Sequence, residues 1–156
     1  MKVPLRIGVI GGGECSREAA ATAREVGALI ARAGAVLVCG GLGGVMEAAA
    51  LGASDAGGLT LGILPGDDPR SANAGIMLAI PTGMGDARNV VIVRASDAVI
   101  AVGGAWGTLA EAAFCLKNEV PLIRLKSDLP TLPIPEAESP EGAVEWAIEQ
   151  ARARAG

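Results

Sequence analysis

The stretch that decides the fold is residues 5–44, LRIGVIGGGECSREAAATAREVGALIARAGAVLVCGGLGG. Residues 5–10 form a short, almost wholly apolar run that stops at Gly11, Gly12 and Gly13. Residues 16–33 carry helical spacing, with Val26, Leu29 and Ile30 on one side, Ser16 in front and Gly34 behind. A second strand-length apolar run, residues 35–39, ends in another glycine cluster. A strand that is apolar throughout has both faces covered, which is the mark of a parallel sheet flanked by helices.

The rest of the chain repeats this alternation. Residues 59–64, 76–80, 98–102 and 121–125 read as further strands, and 45–56, 86–96 and 108–118 as helices. Residues 127–135 hold three prolines and read as a surface connection or edge segment. The last helix is capped by Ser139, has Pro140 in its first turn, and carries a Val144, Ala147, Ile148, Ala151 stripe. The expectation is one α/β domain over residues 1–156, a doubly wound, Rossmann-like parallel sheet with helices on both faces. Its expected strand order is 3-2-1-4-5-6. Ligands in such sheets sit beyond the carboxyl ends of the strands, at the switch point, and the glycine clusters fall there.

Composition narrows the chemistry. The 156 residues include no His and no Tyr, so His-based nucleophile pairs and His metal ligands are excluded, and no metal site is expected. The only aromatic residues are Trp106, Phe114 and Trp146, too few for a base-stacking platform. With 13 basic and 17 acidic residues the formal charge is −4, which weighs against nucleic acid as a partner. Three cysteines, Cys15, Cys39 and Cys115, show no paired spacing, and no apolar run reaches membrane-spanning length. A cytoplasmic protein is expected, without a membrane partner.

Four segments can carry a site. The first loop, Gly11-Gly12-Gly13-Glu14-Cys15-Ser16, lacks the last Gly of a dinucleotide fingerprint. The second strand also lacks the terminal acid that would bind a ribose. It is either a tight turn or a phosphate loop. The second loop places Gly40, Gly41, Gly43 and Gly44 before a helix, where backbone N–H groups either approach an anion or allow close packing. The third, Gly103-Gly104-Ala105-Trp106-Gly107-Thr108, also leads into a helix. Thr108 and Glu111 have capping-box spacing, and capping is the reading these residues alone favour for Glu111. Leu109, Ala112, Ala113 and Leu116 are the expected buried stripe, with Glu111 on its flank. A carboxyl turned into the pocket from there would have a raised pKa. In the fourth segment, Arg88 shares a helical face with Val91, Ile92 and Ala95. A cation at a helix start is unfavourable unless it meets an anion, either a protein carboxylate or a ligand phosphate.

Three of these segments, GGLGGVMEAA at 40–49, TGMGDARN at 82–89 and GGAWGTLAE at 103–111, resemble the Lonely Guy (LOG) superfamily, once mislabelled lysine decarboxylases. The resemblance runs from about residue 6 to 125 and is nearest to the short branch similar to molybdenum cofactor carrier proteins. It implies one of two functions. One is binding of a phosphorylated nucleotide- or pterin-like molecule, the molybdenum cofactor or a nucleotide monophosphate, without turnover. The other is hydrolysis of the N-glycosidic bond of nucleoside 5′-monophosphates. In the second case Glu111 stands at the catalytic Glu and Arg88 at the Arg of an Arg-Lys pair. The resemblance further implies ligand contacts from Gly11, Gly12, Gly13, Gly40, Gly41, Gly43, Gly44, Met84, Arg88, Asn89, Gly103, Gly104, Gly107 and Thr108. No cofactor is implied for the chemistry itself, and a homodimer or homotetramer is. The chain departs from the hydrolase motif at Gly103 (for Pro), Ala105 (for Gly) and Asn89 (for Lys).

Overall fold

Residues 2–156 are described by a computed structural model. Strands β1 (Arg6–Gly11), β2 (Val36–Cys39), β3 (Thr60–Leu64), β4 (Leu78–Pro81), β5 (Ala98–Val102), β6 (Leu122–Leu125) and β7 (Glu136–Ala137) form one parallel sheet. Helices α1 (Arg17–Arg32), α2 (Val45–Asp55), α3 (Arg88–Ala95), α4 (Trp106–Lys117) and α5 (Pro140–Ala155) connect and cover it. The alternating side chains of the central strands feed two cores. Ile7, Val9, Leu37 and Ile100 pack towards α1, α2 and α5. Ile10, Val38, Val99 and Ala101 pack towards α3 and α4. Ser16 and Ser139 cap α1 and α5, accepting from the Ala19 and Gly142 N–H groups at 3.1 and 3.0 Å.

The sheet order is β4-β3-β2-β1-β5-β6-β7, which corrects the expected 3-2-1-4-5-6. The fourth strand lies at the edge beside β3, and β1 pairs directly with β5 over five residues. Two features account for this. The chain between β3 and β4 contains only a three-residue 3-10 turn, so no helix carries it back across β2 and β1. Burial agrees: every residue of β5 is buried, whereas Leu78 and Ile80 of β4 are about half exposed. The switch point therefore lies between β1 and β5. The short β7 extends the other edge just beyond the proline-rich segment.

Helices α1 and α2 approach backbone to backbone. A methyl on Gly27 would fall 1.9 Å from the Ala49 carbonyl oxygen, and one on Gly52 would fall 1.9 Å from that of Arg24. Each helix thus supplies the glycine that the other's carbonyl needs. This contact seats α2, and with it the second glycine loop. A Gly52→Ala substitution must push the helices apart. It is expected to cost about 3 kcal/mol, read as a lowered midpoint in urea unfolding.

Candidate functional site

The carboxyl ends of β1, β2 and β5 open into a cleft of about 180 Å³. Its walls bring together nine of the expected residues: Gly11, Gly12, Gly13, Gly40, Arg88, Asn89, Gly107, Thr108 and Glu111. Gly41, Gly43, Gly44, Met84, Gly103 and Gly104 are not among them. The second loop takes the packing role. Gly44 sits at φ +65°, and a methyl there would meet the Gly12 carbonyl oxygen at 2.2 Å. That same oxygen accepts from the Val45 N–H at 3.0 Å, so the first N–H of α2 is paired within the protein. Met84 is exposed on the turn before α3.

Glycine at position 40 has a specific purpose. A Cβ there would lie 2.6 Å from the Met46 sulfur and 2.9 Å from Arg88 Nη2. The guanidinium therefore rests over a backbone with no side chain. Arg88 is buried, and it belongs to none of the ion pairs among the described residues. Its Nη1 donates to Asn89 Oδ1, while its buried Nε has no partner. Burial of an unpaired cation and an unsatisfied donor is costly, and an anion delivered to the cleft relieves both.

Helix α4 begins two residues earlier than expected, and this corrects the roles of Thr108 and Glu111. Ala105 is its N-cap and offers no side-chain hydrogen bond. Thr108 lies inside the first turn, buried, with an unpartnered Oγ1, so it caps nothing. The first helical bond runs from the Leu109 N–H to the Ala105 carbonyl, leaving the N–H groups of Trp106, Gly107 and Thr108 without helical acceptors. An uncapped helix start with free N–H groups favours negative charge beside it. The buried face is Thr108, Glu111, Ala112 and Cys115, rotated by one position from the expected stripe. Leu116 is exposed and Glu111 is inside, only 7% accessible. Burial pushes the Glu111 carboxyl up to about 7, with the nearby positive charge of Arg88 pulling the other way.

Two cleft residues escaped sequence reasoning. Asp86, on the 3-10 turn Gly85–Ala87, was only the first residue of the expected helix 86–96 and had no assigned role. Met46 sat in a quoted motif with no assigned role. Cys39 and Cys115 are unsuited to act as nucleophiles: burial raises Cys39 to about 11 and Cys115 to about 12, leaving both as thiols near neutral pH. Other hollows are larger, one of about 680 Å³ near the chain ends, but none of them is lined by an unpartnered buried polar atom.

Glu111 makes the protein's stability depend on pH. Its folded pKa of about 7 lies above the ordinary carboxylate value of 4.5, so the fold favours the neutral form. That preference is satisfied in acid and is lost as pH rises through about 7, at a cost of about 3 kcal/mol. A Glu111→Gln variant is expected to be more stable than the parent at about pH 8. The gap should close towards about pH 4, as read by thermal unfolding across pH.

Known proteins share this chain's sequence and fold over most of its length. The model of the SLOG cluster4 family matches residues 4–153. An uncharacterised protein of Archaeoglobus fulgidus is 47% identical over 144 residues, 92% of this chain and 95% of that one. The molybdenum cofactor binding protein of the phototrophic bacterium Rippkaea orientalis superposes with a TM-score of 0.89 at 39% identity, covering 96% of this chain and 98% of the other. The molybdenum cofactor carrier protein of Chlamydomonas reinhardtii gives a TM-score of 0.87 at 32% identity, covering 97% and 99%.

Proposed function

Since this chain belongs to the SLOG cluster4 family, we propose that it binds a phosphorylated pterin- or nucleotide-like molecule in the β1/β5 cleft and acts as a molybdenum cofactor carrier. The observation that carries the reading is Arg88: a buried guanidinium with no carboxylate partner and an unsatisfied Nε, beside the unsatisfied hydroxyl of Thr108. A phosphate supplies acceptors to Arg88, Thr108 and the free N–H groups at the start of α4 together. Asn89 presents its carbonyl oxygen to Arg88 and so orients the guanidinium without neutralising it. The similarity to cofactor-binding and carrier proteins over nearly the whole chain supports the molybdenum cofactor as cargo.

One observation favours a second reading. Glu111 is buried at the cleft with a pKa of about 7, a value suited to general acid–base chemistry. In a nucleoside 5′-monophosphate phosphoribohydrolase it would assist water at the glycosidic carbon while Arg88 held the phosphate. Asn89 and Ala105 remove a charge and a glycine from that motif, and we place the carrier reading first.

We place the protein in the cytoplasm as a homodimer or homotetramer, joined through the apolar edge of β4, where Met77, Leu78, Ile80 and Met84 are exposed. Light scattering at micromolar concentration is expected to read two or four times the 15.5 kDa chain mass.

The test of function is retention of cargo. Loaded anaerobically with molybdenum cofactor, the protein is expected to keep it through desalting. Arg88→Ala is expected to lose it, with affinity lowered at least about tenfold. Incubation with nucleoside 5′-monophosphates is expected to release no base. Base release abolished by Glu111→Gln would establish the hydrolase instead.

A further inference from the structure

The anion cleft has a neighbour that its chemistry does not use. A hollow of about 390 Å³ adjoins it, walled by Trp106, Leu109, Leu129, Pro130 and Asp128. The two spaces share Ala105 as a wall. The chain alternates between them: Trp106 faces the hollow, while Gly107 and Thr108 face the cleft. Gly104 forms the back of the hollow, tight against Leu129, and a methyl there would fall 3.2 Å from a Leu129 methyl.

Trp106 stands out on this wall. It is one of two tryptophans in the chain, and it is 83% exposed. Trp146, by contrast, packs against the core of the α1, α2 and α5 face. An indole left in water beside an anion site is a stacking surface awaiting a flat partner. The only acid on the wall of the hollow is Asp128, whose carboxylate is not engaged in any ion pair among the described residues. A free carboxylate accepts two parallel N–H donors.

We propose that this hollow is the ring subsite of the ligand whose phosphate sits on Arg88. Trp106 stacks on a flat heterocycle, and Asp128 accepts from a 2-amino-4-oxopyrimidine edge of the kind guanine and pterins carry. The inference rests on the anion reading of the cleft. It adds the chemical class of the ring and names the residues that select it. Adenine lacks this paired N–H and NH2 edge, so the subsite discriminates between purines. The ring and the phosphate then lie on either side of Ala105, the residue that lines both spaces.

The experiment uses the full chain with Trp146→Phe, so that Trp106 is the sole tryptophan and its fluorescence reports the hollow alone. The probes are GMP, AMP and ribose 5-phosphate, with ligand absorbance corrected against free indole. GMP is expected to quench Trp106 and to bind about tenfold more tightly than ribose 5-phosphate, with AMP between them. In calorimetry on the Trp146→Phe parent, Trp106→Ala is expected to lower GMP affinity about tenfold, and Trp106→Phe to restore most of it. Asp128→Asn is expected to erase the preference for GMP over AMP. GMP binding no tighter than ribose 5-phosphate would overturn the ring subsite, as would a GMP advantage that survives Trp106→Ala. In either case Arg88-dependent binding of ribose 5-phosphate would leave the anion cleft standing. If no phosphorylated probe binds in an Arg88-dependent way, the anion reading falls and the subsite falls with it.

Discussion

The structure of the site depends on a buried positive charge that the protein does not neutralise. Arg88 opens α3 on its buried side, held above Gly40 by a space that any side chain would fill. Its only hydrogen-bond partner through Nη1 is the neutral Asn89, and its Nε is unsatisfied. Two carboxylates, Asp86 and Glu111, share the cleft wall with it without forming an ion pair, and burial drives Glu111 towards the neutral form. Leaving the charge outside any ion pair lowers stability, and on the proposed reading it prepares the cleft for an anion.

The rest of the molecule fixes that arrangement. The fully buried β5 sits next to β1, so α3 and α4 emerge on one face, on either side of the switch point. This brings Arg88 from α3, Thr108 and Glu111 from α4, and the glycine loop after β1 to one place, although they are far apart in sequence. The glycine pair Gly27 and Gly52 locks α1 to α2 on the opposite face. The second glycine loop then packs against Gly12 and pairs the first N–H of α2, whereas the first three N–H groups of α4 have no helical acceptor.

Much of this was legible in the sequence. Strands that are apolar on both faces, several of them followed at once by glycine, specify a covered parallel sheet and locate its carboxyl end. Arg88 was legible because a cation heading an apolar helical face is anomalous. The strand order was not, since no local pattern in residues 76–80 says which neighbour they pair with. Only the lack of a helix before them and their half-exposed side chains decide it. The role of Glu111 was misread for a definite reason. Helix α4 starts at Trp106 behind Ala105, an N-cap with no capping group, while the threonine three positions on mimics a cap. Packing against the sheet turns the buried face by one position from the expected stripe and carries the carboxyl from the flank into the interior.

The most direct measurement is the side-chain 15N–1H resonance of Arg88 Nε, assigned with an Arg88→Lys variant and followed as ribose 5-phosphate is added. A free, buried Nε–H that meets a phosphate oxygen should shift strongly downfield and become protected from exchange with water, while other arginine resonances stay in place. An Arg88 resonance that does not move at saturating phosphate ester would contradict the account, because the unneutralised charge would then serve some other purpose than holding an anion.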